Sequence, residues 1–117
     1  MGDQEESVLR DFQEGDFGSL SELWTETGIG NPARGDSLDA VLRTLSLGGR
    51  LRVLDSQGRI VGSAWITDDG RRLYLHHMAV RPELQGRGLG KRLMDAAVSV
   101  ARERRMQMKL EVSEANP

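Results

Sequence analysis

Two periods of apolar spacing take turns along this 117-residue chain. Ser7–Phe12 reads as a short strand, and an acidic turn follows at Gln13–Asp16. Phe17, Leu20 and Trp24 then share one helical face, with Asp16 placed to cap that helix and Gly28 to end it. Ile29–Gly35, carrying Gly30, Asn31, Pro32 and Gly35, is a loop. Leu38, Val41, Leu42 and Leu45 keep helical spacing behind a cap at Asp36 or Ser37, and Gly48-Gly49 stops the run. Strand patterns take over at Arg50–Asp55 and Arg59–Thr67, joined by the turn Ser56-Gln57-Gly58. Asp68-Asp69-Gly70 leads into a further strand, Arg72–Val80, which Pro82 closes because it has no N–H for a ladder. Leu89–Arg105 is the longest helix, turning Leu89, Leu93, Ala96, Ala97 and Val100 inward. Met106–Val112 alternates again, with Met106, Met108, Leu110 and Val112 on one face.

The order β-α-α-β-β-β-α-β predicts one α/β domain over residues 1–117, with a mixed sheet between helices. Its last three elements form a crossover, so the strands Arg72–Val80 and Met106–Val112 are expected to be parallel. Composition changes this picture little: apolar residues make up 38% and charged residues 29%, ordinary values for a globular domain. The net charge of -2 argues against nucleic-acid binding, and no apolar run approaches a membrane span. With no cysteine, disulfides, thiolate metal sites and a cysteine nucleophile are excluded, and no metal is expected. A cytoplasmic location is the default reading. Charge is uneven, however. Asp3–Asp16 is acidic, whereas Arg81–Arg105 concentrates Arg81, Arg87, Lys91, Arg92, Arg102, Arg104 and Arg105. A local basic stretch in an acidic chain suits a small polyanion better than a nucleic-acid track.

The segment Val80-Arg81-Pro82-Glu83-Leu84-Gln85-Gly86-Arg87-Gly88-Leu89-Gly90 lies between a strand and the long helix. A helix N-terminus offers unpaired N–H groups and partial positive charge, which together bind phosphate. Gly86, Gly88 and Gly90 let an anion approach the backbone, while Arg87, Lys91 and Arg92 add charge around it. A Walker loop would need Gly at 85 and Ser or Thr after Lys91, and a dinucleotide fingerprint starting at Gly86 would need Gly at 91; the chain has Gln85, Arg92 and Lys91.

Gln85-x-x-Gly88-x-Gly90, after a strand ending Met78-Ala79-Val80, resembles the signature of the GCN5-related N-acetyltransferase (GNAT) family. The resemblance runs through the preceding helices and the hairpin arm Ile60-Val61-Gly62 to Val112-Ser113-Glu114-Ala115-Asn116-Pro117, where the family's fifth strand ends. It implies the acyl-CoA N-acyltransferase fold, here lacking the closing strands. It also implies an acetyl-CoA-dependent N-acetyltransferase in which an amine of a small molecule, peptide or protein attacks the thioester directly. By the same resemblance, N–H groups from Gln85 through Gly86, Arg87, Gly88, Leu89 and Gly90 to Lys91 hold the pyrophosphate. Met78, Ala79 and Val80 present main-chain groups to the pantetheine arm, and Asn116 reaches the cofactor. The pairing requires the strand to part from Met106–Val112, which a bulge near Met78 would start, and an N–H in that bulge would stabilise the thioester oxygen.

Acetyl transfer also needs a proton acceptor for the amine. His76, His77 and Tyr74 lie on the right strand, and a histidine's ordinary pKa suits a base near neutral pH. Strict alternation puts Tyr74, His76 and Met78 on one face and Leu75, His77 and Ala79 on the other, so only one histidine, preferably His76, is expected at the cleft. The tyrosine that serves as thiolate acid in the family would follow Pro117. Two other readings compete: a non-catalytic fragment that holds CoA or acyl-CoA, and a dimerisation module. Because Met106–Val112 presents an apolar face and an unshielded edge, a homodimer or a further C-terminal segment is expected to complete the sheet.

Overall fold

The computed structural model describes residues 7–30 and 35–110. Its elements are β1 (Val8–Asp11), α1 (Phe17–Thr27), α2 (Leu38–Ser46), β2 (Arg50–Ser56), β3 (Arg59–Asp68), β4 (Leu73–Val80), α3 (Leu89–Arg104) and β5 (Met108–Leu110). Short 3-10 turns at Glu14–Asp16 and Pro82–Leu84 precede α1 and α3. The five strands lie in chain order, β1-β2-β3-β4-β5. Consecutive strands are antiparallel except the last pair, in which β4 and β5 run parallel as the crossover predicts.

Local chemistry explains the boundaries. Ser37 caps α2, its hydroxyl accepting from the Ala40 N–H at 3.2 Å. Asp16 stands at the head of α1 without capping it. Its carboxylate accepts instead from the Gln13 N–H at 2.8 Å and from Arg10 Nη1 and Nη2, each at 2.8 Å. The Arg10 hydrogen bonds hold the Asp16 carboxyl below the usual carboxylate range. Gln57 and Gly58 both have positive φ, as a two-residue hairpin turn between right-twisted strands requires.

The sheet buries a cluster on each face. Leu54, Val61, Ala64, Ile66, Leu73 and Leu75 pack under Leu89, Leu93, Ala97 and Val100 of α3. On the other face, Leu20, Leu23 and Trp24 of α1 and Val41 of α2 cover Leu51, Val53, Ile60, Trp65 and Ala79. Trp24 stacks on Trp65 with ring centroids 5.4 Å apart, and the Trp65 Nε1–H donates to Thr44 Oγ1 at 2.9 Å. Ala96, expected inside, is only half-buried. Gly62 sits beneath α3, where an added Cβ would come within 3.0 Å of Leu54 and Leu93 side-chain carbons. No described helix is long and apolar enough to cross a membrane.

Candidate active site

The β3–β4 ladder contains the irregularity on which the site depends. Ala79 faces Ser63 and His76 faces Trp65, so Ala64 alone opposes both His77 and Met78. That is a β-bulge, and His77 adopts φ +45 within it. A non-glycine residue in the left-handed region costs about 1–2 kcal/mol, so neighbouring contacts must hold it there. The His77 ring packs edge-on against the stacked pair Trp24 and Trp65, at centroid distances of 4.6 and 5.2 Å. Its carbonyl accepts from the Ser63 hydroxyl at 2.7 Å.

The bulge corrects the expected alternation of faces. His76 packs toward Trp65 with centroids 6.3 Å apart, so both imidazoles lie on the α1/α2 side together with Ala79. Leu75 packs under α3 with Val80, and Met78 is exposed. One inserted residue returns the following side chain to the face it would otherwise have left. His76 Nε2 is 2.8 Å from Thr67 Oγ1. His77 Nε2 is buried 3.0 Å from Asp36 Oδ1, close enough for an ion pair but outside hydrogen-bond alignment. Tyr74 stands where β5 still pairs, opposite Lys109; its hydroxyl donates to Asp69 Oδ2 at 3.3 Å and its ring centroid is 6.2 Å from that of His76.

Beyond Leu75 no described residue pairs with β4 on its outer side. β5 pairs with Leu73, Tyr74 and Leu75, and among the described residues no strand pairs with His76–Val80 on the side away from β3. The Arg81 N–H donates to Val61 O at 2.9 Å. Antiparallel alternation therefore turns Ala79 toward Ser63 and the N–H and C=O of Val80 toward the outer edge, away from β3. Gln85 Nε2 donates to that Val80 carbonyl at 3.1 Å, tying the loop to the edge.

The loop then enters α3 without a cap. Gly88 occupies the N-cap position with φ +85 and Gly86 has φ +83, conformations that glycine adopts without penalty. Among the described residues no N–H from Gly86 to Lys91 donates to a carbonyl, and no side chain caps the helix. The N–H groups at the positive end of this 16-residue helix make a candidate anion cradle. Gly90 has ordinary helical backbone and nothing within 4 Å of an added Cβ. Internal packing therefore does not explain it, although glycine in a helix costs about 1 kcal/mol relative to alanine.

The basic side chains contribute less than their number in the sequence implies. Arg81 is buried, donating to Ile60 O at 3.0 Å and Ser19 O at 3.2 Å and pairing with Glu26 and Glu22. Arg92 donates to Ser7 O and Oγ at 3.2 and 3.1 Å, and Lys91 pairs with Asp95 at 3.0 Å. Arg87 is exposed beside the cradle. An open cavity of about 510 Å³ is lined by Gly18, Ser21, Glu22, Thr25, Glu26, Arg59 and Arg81, and by no residue of the cradle. Asn116, along with Glu111 and Val112 of the expected last strand, lies outside the described residues.

The profile of the acetyltransferase (GNAT) family matches residues 17–117, and the chain belongs to that family. Among solved structures, an acetyltransferase of Trypanosoma brucei is 28% identical with a TM-score of 0.75, over 94% of this chain and 85% of that one. The PaiA N-acetyltransferase of Thermoplasma acidophilum, solved in complex with coenzyme A, is 16% identical with a TM-score of 0.77, over 95% of this chain and 82% of its own. A GNAT-family acetyltransferase of Staphylococcus aureus Mu50 is 16% identical with a TM-score of 0.79, over 91% and 72% of the two chains. At those identities the latter two show the shared fold. No curated protein matches the chain.

Proposed function

We propose that the protein transfers an acetyl group from acetyl-CoA to a primary amine of a small molecule, peptide or protein by direct attack. The observation that carries this reading is the continuity of two features. An uncapped row of N–H groups at Gly86–Lys91 adjoins a stretch of β4 whose outer side no described strand pairs, and Gln85 bridges them through the Val80 carbonyl. Acetyl-CoA supplies a pyrophosphate and an activated acetyl thioester joined by a pantetheine arm.

In this reading the N–H groups of Gly86, Arg87, Gly88, Leu89, Gly90 and Lys91 hold the pyrophosphate, and Gln85 orients the loop against β4. Val80 offers one N–H and one C=O along the edge to the amide groups of the arm, as an added strand would receive them. Ala79 fixes the register through Ser63. Met78 brings an N–H to the bulge, where the thioester oxygen gathers charge. His76 takes the proton of the attacking amine: it is half-buried, next to the last described pair of β4 with β5, and so stays within reach of solvent and acceptor. Tyr74 forms the adjoining wall. His77 is the alternative base, with Asp36 beside its ring.

The test incubates the protein with acetyl-CoA and a panel of polyamines, amino sugars and peptides, reading CoA release and product mass. Acetylated product with stoichiometric CoA supports the reading. Tight CoA binding without product from any amine would favour a non-catalytic CoA-binding domain.

A further inference from the structure

We infer that Ser63 is a positioning residue for acetyl transfer, acting by aiming the Met78 N–H at the outer edge of β4, away from β3. The inference rests on the reading that acetyl-CoA lies along that edge. Ser63 is fully buried on β3, opposite Ala79 and next to the bulge. Its oxygen lies 3.0 Å from Trp24 Nε1 and 2.7 Å from the His77 carbonyl. An indole N–H only donates, so the hydroxyl accepts from Trp24, and its single proton goes to His77 O. The direction of this relay is therefore forced, from α1 through β3 to the bulge.

In a trans peptide the C=O of one residue and the N–H of the next point in opposite directions. The carbonyl of His77 and the N–H of Met78 belong to one such plane. Drawing the carbonyl onto Ser63 turns the Met78 N–H away from β3, to the side on which no described strand pairs with β4. The left-handed φ of His77 gives this arrangement no intrinsic support. Ring contacts with Trp24 and Trp65 fix the His77 side chain, whereas Ser63 fixes the peptide itself. Without the hydroxyl, the Trp24 N–H and the His77 carbonyl both lose their partner in the core, and the peptide is free to turn toward regular pairing with Ala64.

The test compares wild type, Ser63→Ala, and Ser63→Ala combined with Trp24→Phe, which removes the stranded indole donor and keeps a ring at that position. Nuclear magnetic resonance without ligand reads the bulge. His77 ring protons, displaced in wild type by the flanking indoles, and the Met78 amide should both shift in Ser63→Ala. Infrared spectroscopy of acetyl-CoA labelled at the thioester carbonyl then reads the donor. The bound carbonyl stretch should be lowered in wild type and return toward its value in water in both variants, while CoA affinity stays within about threefold. A purely structural role for Ser63 would lower stability and leave that stretch in place, which overturns the inference. So would an unperturbed stretch in wild type or an unmoved Met78 amide in Ser63→Ala. Failure of wild type to bind acetyl-CoA at all would instead remove the underlying reading, and the Ser63 assignment with it.

Discussion

Replacing Gly90 by aspartate separates the folding role of the α3 N-terminus from its proposed ligand role. The position has no positive φ, and an added Cβ meets nothing within 4 Å. Exchanging glycine for aspartate in a helix gains about 0.3 kcal/mol of propensity. A carboxylate in the first turn adds roughly 0.3–1 kcal/mol through the helix dipole. Gly90→Asp should thus be more stable than wild type by roughly 0.6–1.3 kcal/mol, a rise in Tm of about 2–7 °C. The effect on binding has the opposite sign. A carboxylate about 5 Å from a bound phosphate charge, at an effective dielectric of about 20, costs about 3 kcal/mol, roughly a hundredfold in Kd. Calorimetric titration with CoA and thermal denaturation, run side by side, measure both. Gly90→Ala is the control, gaining about 1 kcal/mol of stability and keeping CoA affinity within a few-fold. Wild-type CoA affinity in Gly90→Asp would refute the assignment of the cradle, and destabilisation would refute the conclusion that packing does not require glycine there.

Three further outcomes are expected. With an accepted amine, His76→Ala should lower kcat by about 10²–10⁴-fold and remove the acid limb of the pH profile; a larger loss in His77→Ala would transfer the role to the residue beside Asp36. Asp16→Asn should destabilise the fold by on the order of 1 kcal/mol at neutral pH, since Arg10 loses a charged partner. The folded carboxyl sits below its usual range, so this contribution is present above the unfolded pKa of about 3.9 and disappears as pH falls through the folded value. Chemical denaturation of the pair at pH 7 and pH 2.5 should show a smaller difference at pH 2.5 than at pH 7; an equal difference at both would contradict it. Leu110 is 55% exposed on β5, whose outer edge has no partner among the described residues. Copies should therefore associate there, and Leu110→Glu should lower the molar mass seen by light scattering. A wild-type monomer at all concentrations would exclude this.

The sequence predicted the elements closely because their signals are local. The spacing of Leu38, Val41, Leu42 and Leu45, Ser37 as a cap, Gly28 at φ +76 and the Gln57-Gly58 turn each act within a few residues. The uncapped, glycine-rich start of α3 was readable for the same reason, since the glycines and the helix start lie side by side in sequence. What alternation missed was the common face of His76 and His77. A single inserted residue reverses every later side chain, and nothing at His77 marks it as left-handed. The family resemblance called for a bulge near Met78 but did not say how it is held. Ser63 went unnoticed, although one serine among Val61, Ala64, Trp65 and Ile66 in a buried strand is itself a sign that a polar partner waits inside. Charge counting overstated Arg81, Lys91 and Arg92, because their partners at Ile60, Glu26, Asp95 and Ser7 depend on tertiary contacts or on the helix being formed.

Amide-resolved titration of the labelled protein with CoA tests the central claim most directly. The account predicts that the largest shifts, and new protection from hydrogen exchange, fall on the N–H groups of Gly86 through Lys91 and of Val80. Signals from Gly18, Ser21 and Arg59, around the α1 cavity, should stay in place. Shifts centred on that cavity, or saturable CoA binding that leaves Gly86–Lys91 unmoved, would contradict it.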